Sequence, residues 1–249
     1  MNTILITGSS SGFGLETARY FLDRDWSVVA TMRTPRADVL PASERLRVLA
    51  LDVTDADSIA RVVDAAGPID ALVNNAGAGL MGVLEGVSMA ATRELFELNT
   101  FGTMAMSQAM LPGFRKQGSG VIVNVSSAVT LKALPMLTAY TATKAAMEAF
   151  TENLGLEVAP FGIRVRLVLP GRSPETPFGA AARIRSQNGV PEVYADWAKQ
   201  AFAVAQQSPE VTYASDVAQA VWHAVTDPAS PLRIPAGADA MSMAAASIH

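Results

Sequence analysis

The sequence predicts an α/β fold: one doubly wound domain over residues 1–249, with a parallel sheet and a helical lid at about 172–208. Three observations predict it. Short β-branched apolar runs alternate with stretches of helical period, the pattern of βαβ units with right-handed crossovers. Most of the runs are continuously apolar, as in strands covered on both faces. A glycine cluster directly follows the first run and opens the first helical stretch. No internal repeat, low-complexity linker or break in composition divides the chain.

The elements follow in order. Residues 3–7 form the first strand. In 13–24, Leu15, Ala18, Phe21 and Leu22 share one helical face. Strands at 27–32 and 47–51 come next, then a helix at 55–66 and a fourth strand at 70–74. A long helical stretch covers 88–116, a fifth strand 120–125, a long helix 138–160 and a sixth strand 163–169. A late amphipathic helix at 216–226 carries His223. From Pro170 to about Ser215 no strand is expected. Pro174, Pro177, Pro191 and Pro209 punctuate two short helical patterns there, 176–187 and 192–206. Such an excursion beyond a strand's carboxyl end is the usual place of a lid or substrate loop. In a doubly wound sheet that same edge binds ligands.

Composition excludes several function classes. The net charge is −4, which gives no electrostatic footprint for nucleic acid or an anionic membrane. There is no cysteine, so disulfides, a catalytic thiol and thiolate metal sites are ruled out. Two histidines, His223 and His249, are too few for a histidine-rich metal site, and no metal is expected. The start of the chain lacks the basic and apolar regions of a signal peptide. No apolar run reaches the roughly eighteen residues of a membrane span. The expectation is a soluble cytoplasmic protein with a small-molecule substrate and neither nucleic acid nor membrane as partner.

Several residues at strand ends can carry chemistry. The first strand runs into Thr7-Gly8-Ser9-Ser10-Ser11-Gly12-Phe13-Gly14. Glycines there permit a tight turn and close backbone approach, and the helix that follows offers N–H groups and a positive dipole end to a phosphate. The spacing is G-x-x-x-G-x-G, not the G-x-G-x-x-G dinucleotide pattern. Tyr140 and Lys144, four apart, lie on one helix face. Taken alone, such a pair is mostly a surface contact. Ser127 precedes Tyr140 by thirteen residues, with Ser126 as its competitor. Asn99 is a poor helix former inside a long helix. Asp52 stands where a turn or cap residue would also stand.

Taken together and in order, these stretches resemble the short-chain dehydrogenase/reductase family, of the NADP-preferring type. The match runs from Thr7 through Asp52-Val53, Asn74-Asn75-Ala76-Gly77, Asn99, Ser127, Tyr140-Thr-Ala-Thr-Lys144 and Pro170-Gly171 to the Pro-Ala-Gly stretch at Pro235. The resemblance implies a Rossmann-like fold and hydride transfer between nicotinamide and a carbonyl or secondary alcohol. It makes Asn99, Ser127, Tyr140 and Lys144 the catalytic set. Tyr140 is then the proton donor in reduction, and Lys144 lowers its pKa and binds the nicotinamide ribose. Ser127 stabilises the substrate oxygen, with Ser126 a cofactor-side neighbour, and Asn99 distorts its helix and holds a water near Lys144. The implied cofactor residues are Gly8, Ser10, Ser11, Gly12, Phe13, Gly14, Arg33, Asp52, Val53, Asn75, Ala76, Gly77, Tyr140, Lys144, Pro170 and Gly171, with Asp52 at the adenine. Two places depart from the family pattern. Thr130 stands where glycine is usual, and the Pro170–Thr176 segment is one residue longer, which puts in doubt a contact of Thr176 with the nicotinamide.

The end of the second strand bears on cofactor choice. The position that carries an acid in NAD-binding relatives of the fold falls on Met32, and Arg33 follows. A guanidinium grips a phosphate in two places, so NADP(H) is expected, with NAD(H) as the alternative. Ser10 and Ser11 add hydroxyl donors, Arg36 is a substitute for Arg33, and Asp38 is less well placed to replace the missing acid. Ala78, Gly79, Leu80, Leu134 and Met136 are candidate pocket residues, which suggests a substrate with an apolar portion. The resemblance further implies a homo-oligomer, tetramer or dimer, formed through the helices 88–116 and 138–160. The rival reading is a catalytically silent NADP(H)-binding sensor or scaffold. An epimerase or dehydratase of the longer relatives is the other, and the short stretch after the last expected strand argues against it.

Overall fold

A computed structural model describes residues 2–185, 189–206 and 208–247. Its strands are β1 (Thr3–Ile6), β2 (Ser27–Met32), β3 (Leu46–Ala50), β4 (Ala71–Asn74), β5 (Gly120–Val125), β6 (Ile163–Pro170) and β7 (Arg233–Ala236). Its α-helices are α1 (Gly12–Leu22), α2 (Ala56–Ala66), α3 (Met89–Phe96), α4 (Gly102–Gln117), α5 (Thr138–Val158), α6 (Phe178–Arg185), α7 (Ala195–Gln206), α8 (Ala214–Thr226) and α9 (Ala238–Ala246). The strands form one seven-stranded sheet in the order β3-β2-β1-β4-β5-β6-β7, parallel throughout. The carboxyl ends therefore share one edge. The register Ile6↔Val73, Asn74↔Asn124 and Val125↔Val168 brings the segments after β1, β4, β5 and β6 side by side there.

Both faces of the central strands are covered, as their apolar residues require. On one face α1 and α8 pack through Phe21, Val217, Val221 and Ala224. Phe21 meets Trp26 edge-on at 5.1 Å and Trp222 at 5.1 Å between ring centres. On the other face Met106, Met110 and Phe114 of α4 join Ile59 and Val62 of α2 against Leu5, Leu72 and Ile122.

The expected elements fall close to the observed ones, with three differences. The single helix expected over 88–116 is α3 and α4 joined by a π-helical turn, Glu97–Phe101. β7 was not among the expected strands. It is four residues long, and Pro235, paired with Leu169, lacks an N–H. That is tolerated because β7 is the sheet's last strand and has one neighbour. α9 after it was also missed. The patterns at 176–187 and 192–206 become α6, then a 3-10 turn Glu192–Tyr194 leading into α7. Residues 186–188 and 207 of the expected lid, and His249, lie outside the described residues.

Candidate active site

The glycine turn after β1 is held by the turn after β4. Thr7 Oγ1 accepts the N–H groups of Asn75 (3.0 Å) and Ala76 (2.9 Å). Asn75 Nδ2 donates to the carbonyls of Thr7 (2.9 Å) and Gly8 (3.1 Å). This clamp leaves no room for side chains. Gly8 has φ +72°, and a Cβ there would lie 2.9 Å from the Ala76 Cα. A Cβ on Gly14 would collide with the Gly8 carbonyl and Asn75 Nδ2. The helix that follows begins at Gly12, and Ser11 makes no side-chain cap to it. The N–H groups of the first turn and the positive dipole end are thus left for an anion. Thr176 stands against Gly12, its Cγ2 3.4 Å from the position of a Cβ there. The longer Pro170–Thr176 segment thus brings Thr176 to the glycine turn. These features fit a dinucleotide pyrophosphate.

At the end of β2, Met32 is buried, and Arg33 and Arg36 are exposed. Arg36 also reaches the glycine turn, its Nη2 3.4 Å from the Ser10 carbonyl. Asp52 is a turn residue: Oδ1 accepts both the Thr54 hydroxyl (2.7 Å) and the Thr54 N–H (2.9 Å). Those bonds hold its carboxyl below the usual range, with a smaller contribution from the Arg33 guanidinium. The cap of α2 is Asp55, which accepts from Asp57 N. Val53 is buried against Gly102.

Asn99 is fully buried at the centre of the π-helical turn. Its Nδ2 donates to the Ala78 carbonyl (2.9 Å) and Thr143 Oγ1 (3.1 Å), and its Oδ1 accepts from Ala78 N (2.9 Å). The extra residue of a π turn frees a helix position for such bonds. Asn99 thereby ties the strand after β4 to α5, one residue from Lys144.

Ser127, Tyr140 and Lys144 converge. Ser127 caps a 3-10 turn, Ala128–Thr130, after β5. The Tyr140 hydroxyl is hydrogen-bonded to Ser127. Lys144 Nζ donates to the Val125 carbonyl at 2.9 Å and lies 6.0 Å from the centre of the Tyr140 ring. Phe178, at the start of α6, lies over Tyr140 with ring centres 5.7 Å apart. Burial pushes the phenol up to about 12, against the smaller lowering by Ser127. It pulls the Lys144 ammonium down to about 8, with the Glu148 charge opposing. The expectation that Lys144 lowers the tyrosine pKa is therefore corrected for this arrangement. Burial of the phenol outweighs the Ser127 hydrogen bond, and the ammonium is turned toward Val125 O.

Around this core the structure adds contacts that the sequence did not reveal. Ser126, expected on the cofactor side, donates to Glu148 Oε1 at 2.6 Å. Thr130, where glycine was expected, donates to the same oxygen at 2.7 Å. Arg233 of β7 pairs with Glu148 and Glu152. Asp239, buried at the start of α9, accepts from Arg172 N (2.6 Å) and from Thr212 Oγ1 (2.7 Å). Thr212 Oγ1 in turn accepts from Gly171 N (2.9 Å). Glu148 was legible, continuing the i, i+4 ladder from Tyr140 and Lys144. Asp239 gave no comparable signal.

Among the described residues there is no helix long and apolar enough to cross a membrane, and no cluster of side chains suited to a metal ion. The family model described as short chain dehydrogenase matches residues 2–186. A Bacillus subtilis protein called uncharacterized oxidoreductase YusZ is 43% identical over 178 residues, 67% of this chain and 63% of that protein. Human retinol dehydrogenase 8 is 39% identical over 180 residues, 68% of this chain. The matched region spans 63% and 58% of the lengths of these two relatives. The crystal structure of a short-chain dehydrogenase from Streptomyces avermitilis superposes with a TM-score of 0.83 at 33% identity, covering 99% of this chain and 92% of that one.

Proposed function

The chain belongs to the short-chain dehydrogenase family, and from that premise we propose that it is an NADP(H)-dependent oxidoreductase acting on a carbonyl or secondary alcohol. The observation that carries this reading is the convergence of Ser127, Tyr140 and Lys144 beside a glycine-cradled helix N-terminus. The coenzyme, when bound, supplies or accepts the hydride. The residues that would hold it are Gly8, Ser10, Ser11, Gly12, Phe13 and Gly14 at the pyrophosphate, Asn75, Ala76, Gly77, Lys144, Pro170 and Gly171 toward the nicotinamide, and Asp52 and Val53 at the adenine. Arg33, with Arg36 beside it, would take the 2′-phosphate.

Tyr140 gives its proton to the substrate oxygen in reduction and takes it back in oxidation. Ser127 donates a hydrogen bond to that oxygen as negative charge develops. An ammonium has three donors, and Lys144 uses one on Val125 O. Two remain for a ribose, and the charge stabilises the phenolate. Asn99 fixes Ala78 and α5, so the pair is presented at a constant place.

The segment 172–208 acts as the lid of a single catalytic domain. Phe178 and Ala182 of α6 press on Gly79, and Phe178 covers Tyr140. Moving Phe178 admits substrate and returns the tyrosine toward its ordinary range. Leu80, Ala78 and Leu137 around Tyr140 favour a substrate with an apolar portion. The protein works in the cytoplasm as a homo-oligomer. Phe101 before α4 (51% exposed) and Leu156 on α5 (78%) are the apolar side chains that a partner copy would cover. Light scattering at micromolar concentration should give a multiple of 26.1 kDa, and a monomer mass would refute the assembly.

The deciding experiment is a scan of NADPH oxidation against ketones and aldehydes, repeated with Tyr140→Phe. Wild type should turn over at least one apolar member, and the variant should lose nearly all turnover while still binding NADPH. Binding of NADPH without turnover of any carbonyl or alcohol would instead favour a silent sensor.

A further inference from the structure

The buried ladder on α5 does not end at Lys144. One turn on, Glu148 is 3% exposed, and every polar contact it makes comes from a different part of the chain. Ser126 and Thr130, from the segment after β5, both donate to Oε1. Arg233, from β7 at the far edge of the sheet, donates to Oε2 at 2.5 Å and reaches Glu152 Oε1 at 2.6 Å. A carboxylate that nearly buried is retained only where hydrogen bonds and a counter-charge hold it. Both are present, so the anion sits at a fixed place one helical turn from the Lys144 ammonium.

We propose that Glu148 is a positioning residue that keeps Lys144 charged and directed at Val125 O, with Arg233, Ser126 and Thr130 holding Glu148 in place. Two paths connect Glu148 to the amine. One is its field, because an anion one turn away favours the ammonium over the neutral amine. The other is the backbone: Ser126, whose hydroxyl is fixed by Glu148, follows Val125, whose carbonyl takes the Lys144 proton. The groups facing this cluster are Tyr140 and Glu152 on α5 itself, Ser126, Ser127 and Thr130 after β5, and Arg233 on β7. Gly77 also lies against Lys144, a Cβ there falling 3.7 Å from Nζ and 3.1 Å from Asn99 Oδ1. Arg233 offsets part of the Glu148 charge and Glu152 takes up part of Arg233, so the net field at Lys144 is that of a partly compensated carboxylate. Thr130, the departure from the family's glycine, belongs to this device, because its hydroxyl completes the coordination of Oε1.

The inference rests on the reading that Lys144 is the working cation of the site, and its test is independent of turnover. The chain has four lysines, Lys116, Lys132, Lys144 and Lys199. With lysine labelled at 13Cε, the Lys144 resonance is assigned by its loss in Lys144→Met and titrated in wild type and variants. Wild type should titrate near 8. Glu148→Gln, which keeps the shape and an acceptor oxygen, should lower that midpoint by about one to two pH units, the scale of a unit charge one turn away at an effective dielectric near 20. Glu148→Asp keeps the charge and should stay within about half a unit of wild type. Glu152→Gln breaks the other arm of the Arg233 pair at an exposed position and should leave Lys144 within about half a unit as well. A Gln variant that titrates like wild type overturns the proposal. So does an Asp variant displaced by more than about one unit, which alone suffices if the Gln variant does not fold. Equal shifts in all three variants would assign the effect to packing and overturn it too. The catalytic reading fails separately, if Lys144→Met retains turnover.

Discussion

Replacing Lys144 with methionine should make the protein more stable at neutral pH, by an amount that shrinks as the pH rises. The side chain is 4% exposed, and burial moves its pKa from 10.5 to about 8. That displacement is about 3 kcal/mol by which the fold disfavours the ammonium over the amine. Methionine fills similar space without a charge. It gives up the hydrogen bond to Val125 O, a loss of about 1–3 kcal/mol with the carbonyl left unpaired. The net gain near pH 7 is then about 0–2 kcal/mol. Between pH 8 and 10.5 the unfolded wild-type chain keeps a proton that the folded chain has released. Wild-type stability therefore rises with pH in that window, and the variant has no such contribution. From pH 7 to pH 9 the advantage of the variant should fall by about 1 kcal/mol, or about 2–4 °C in melting temperature for a chain of this size. Urea or thermal melts of both proteins at the two pH values, at one protein concentration, measure it directly. Other titrating groups are common to both proteins and largely cancel. A gap that stays constant or widens from pH 7 to pH 9 would refute a depressed Lys144.

Phe178→Ala should bring the Tyr140 pKa down from about 12 toward 10 by removing its cover. Phenolate absorbance against pH, with Phe178→Ala/Tyr140→Phe as the blank, reads it, and an unchanged midpoint would show that Phe178 is not the source of the burial. Gly14→Ala places a methyl on the Gly8 carbonyl and Asn75 Nδ2 and should cost about 1–3 kcal/mol of stability together with coenzyme affinity; melting and NADPH fluorescence titration test it, and retention of both would discount the clamp. Arg33→Ala should lower kcat/KM for NADPH by about 10–100-fold and leave NADH within a fewfold, the scale of one charge-assisted phosphate contact. If Arg33→Ala is silent and Arg36→Ala carries the loss, the arginine that already reaches Ser10 is the phosphate ligand.

The fold was legible to the extent that burial writes itself into the sequence. β1, β2, β4 and β5 are buried along almost their whole length and read as apolar runs, β3 and β6 keep enough Leu, Ile and Val around their arginines to show as well, and the expected ends of all six differ from the observed ones by a residue at most. β7 has one neighbour, four residues and a proline, and none of the three gives a strand signal. The π-helical turn adds one residue to a periodic helix, and a reading at 3.6 residues per turn averages across it. Asn99 was its only mark, recognisable as a misfit but not as a helix defect. Likewise the spacing of Pro170–Thr176 revealed a longer segment but not that Thr176 comes to rest on Gly12.

The site was legible where its chemistry is local and obscure where it is long-range. Ser127, Tyr140 and Lys144 are separated by thirteen and four residues, spacings that a turn and a helix convert into proximity. Glu148 continues the same ladder, yet a glutamate on a long helix is ordinarily solvated. What makes this one different is Arg233, 85 residues away on a strand that the sequence did not reveal. The same burial acts on both members of the pair, raising the phenol to about 12 and lowering the amine to about 8. With Phe178 in place both are then neutral across the interval between those values, the reverse of the phenolate–ammonium pair that proton transfer in the oxidative direction needs. In the proposed mechanism two features bear on this, the first already expressed in the lysine value of about 8. Glu148 acts on the lysine permanently, through a charge fixed from the far edge of the sheet. Displacement of Phe178 acts on the tyrosine only when the lid moves. On this proposal reactivity depends on one static compensation and one mobile one, and they are separable: Glu148→Gln should disturb Lys144 with Phe178 in place, whereas Phe178→Ala should disturb Tyr140 and leave the Lys144 midpoint largely where it was.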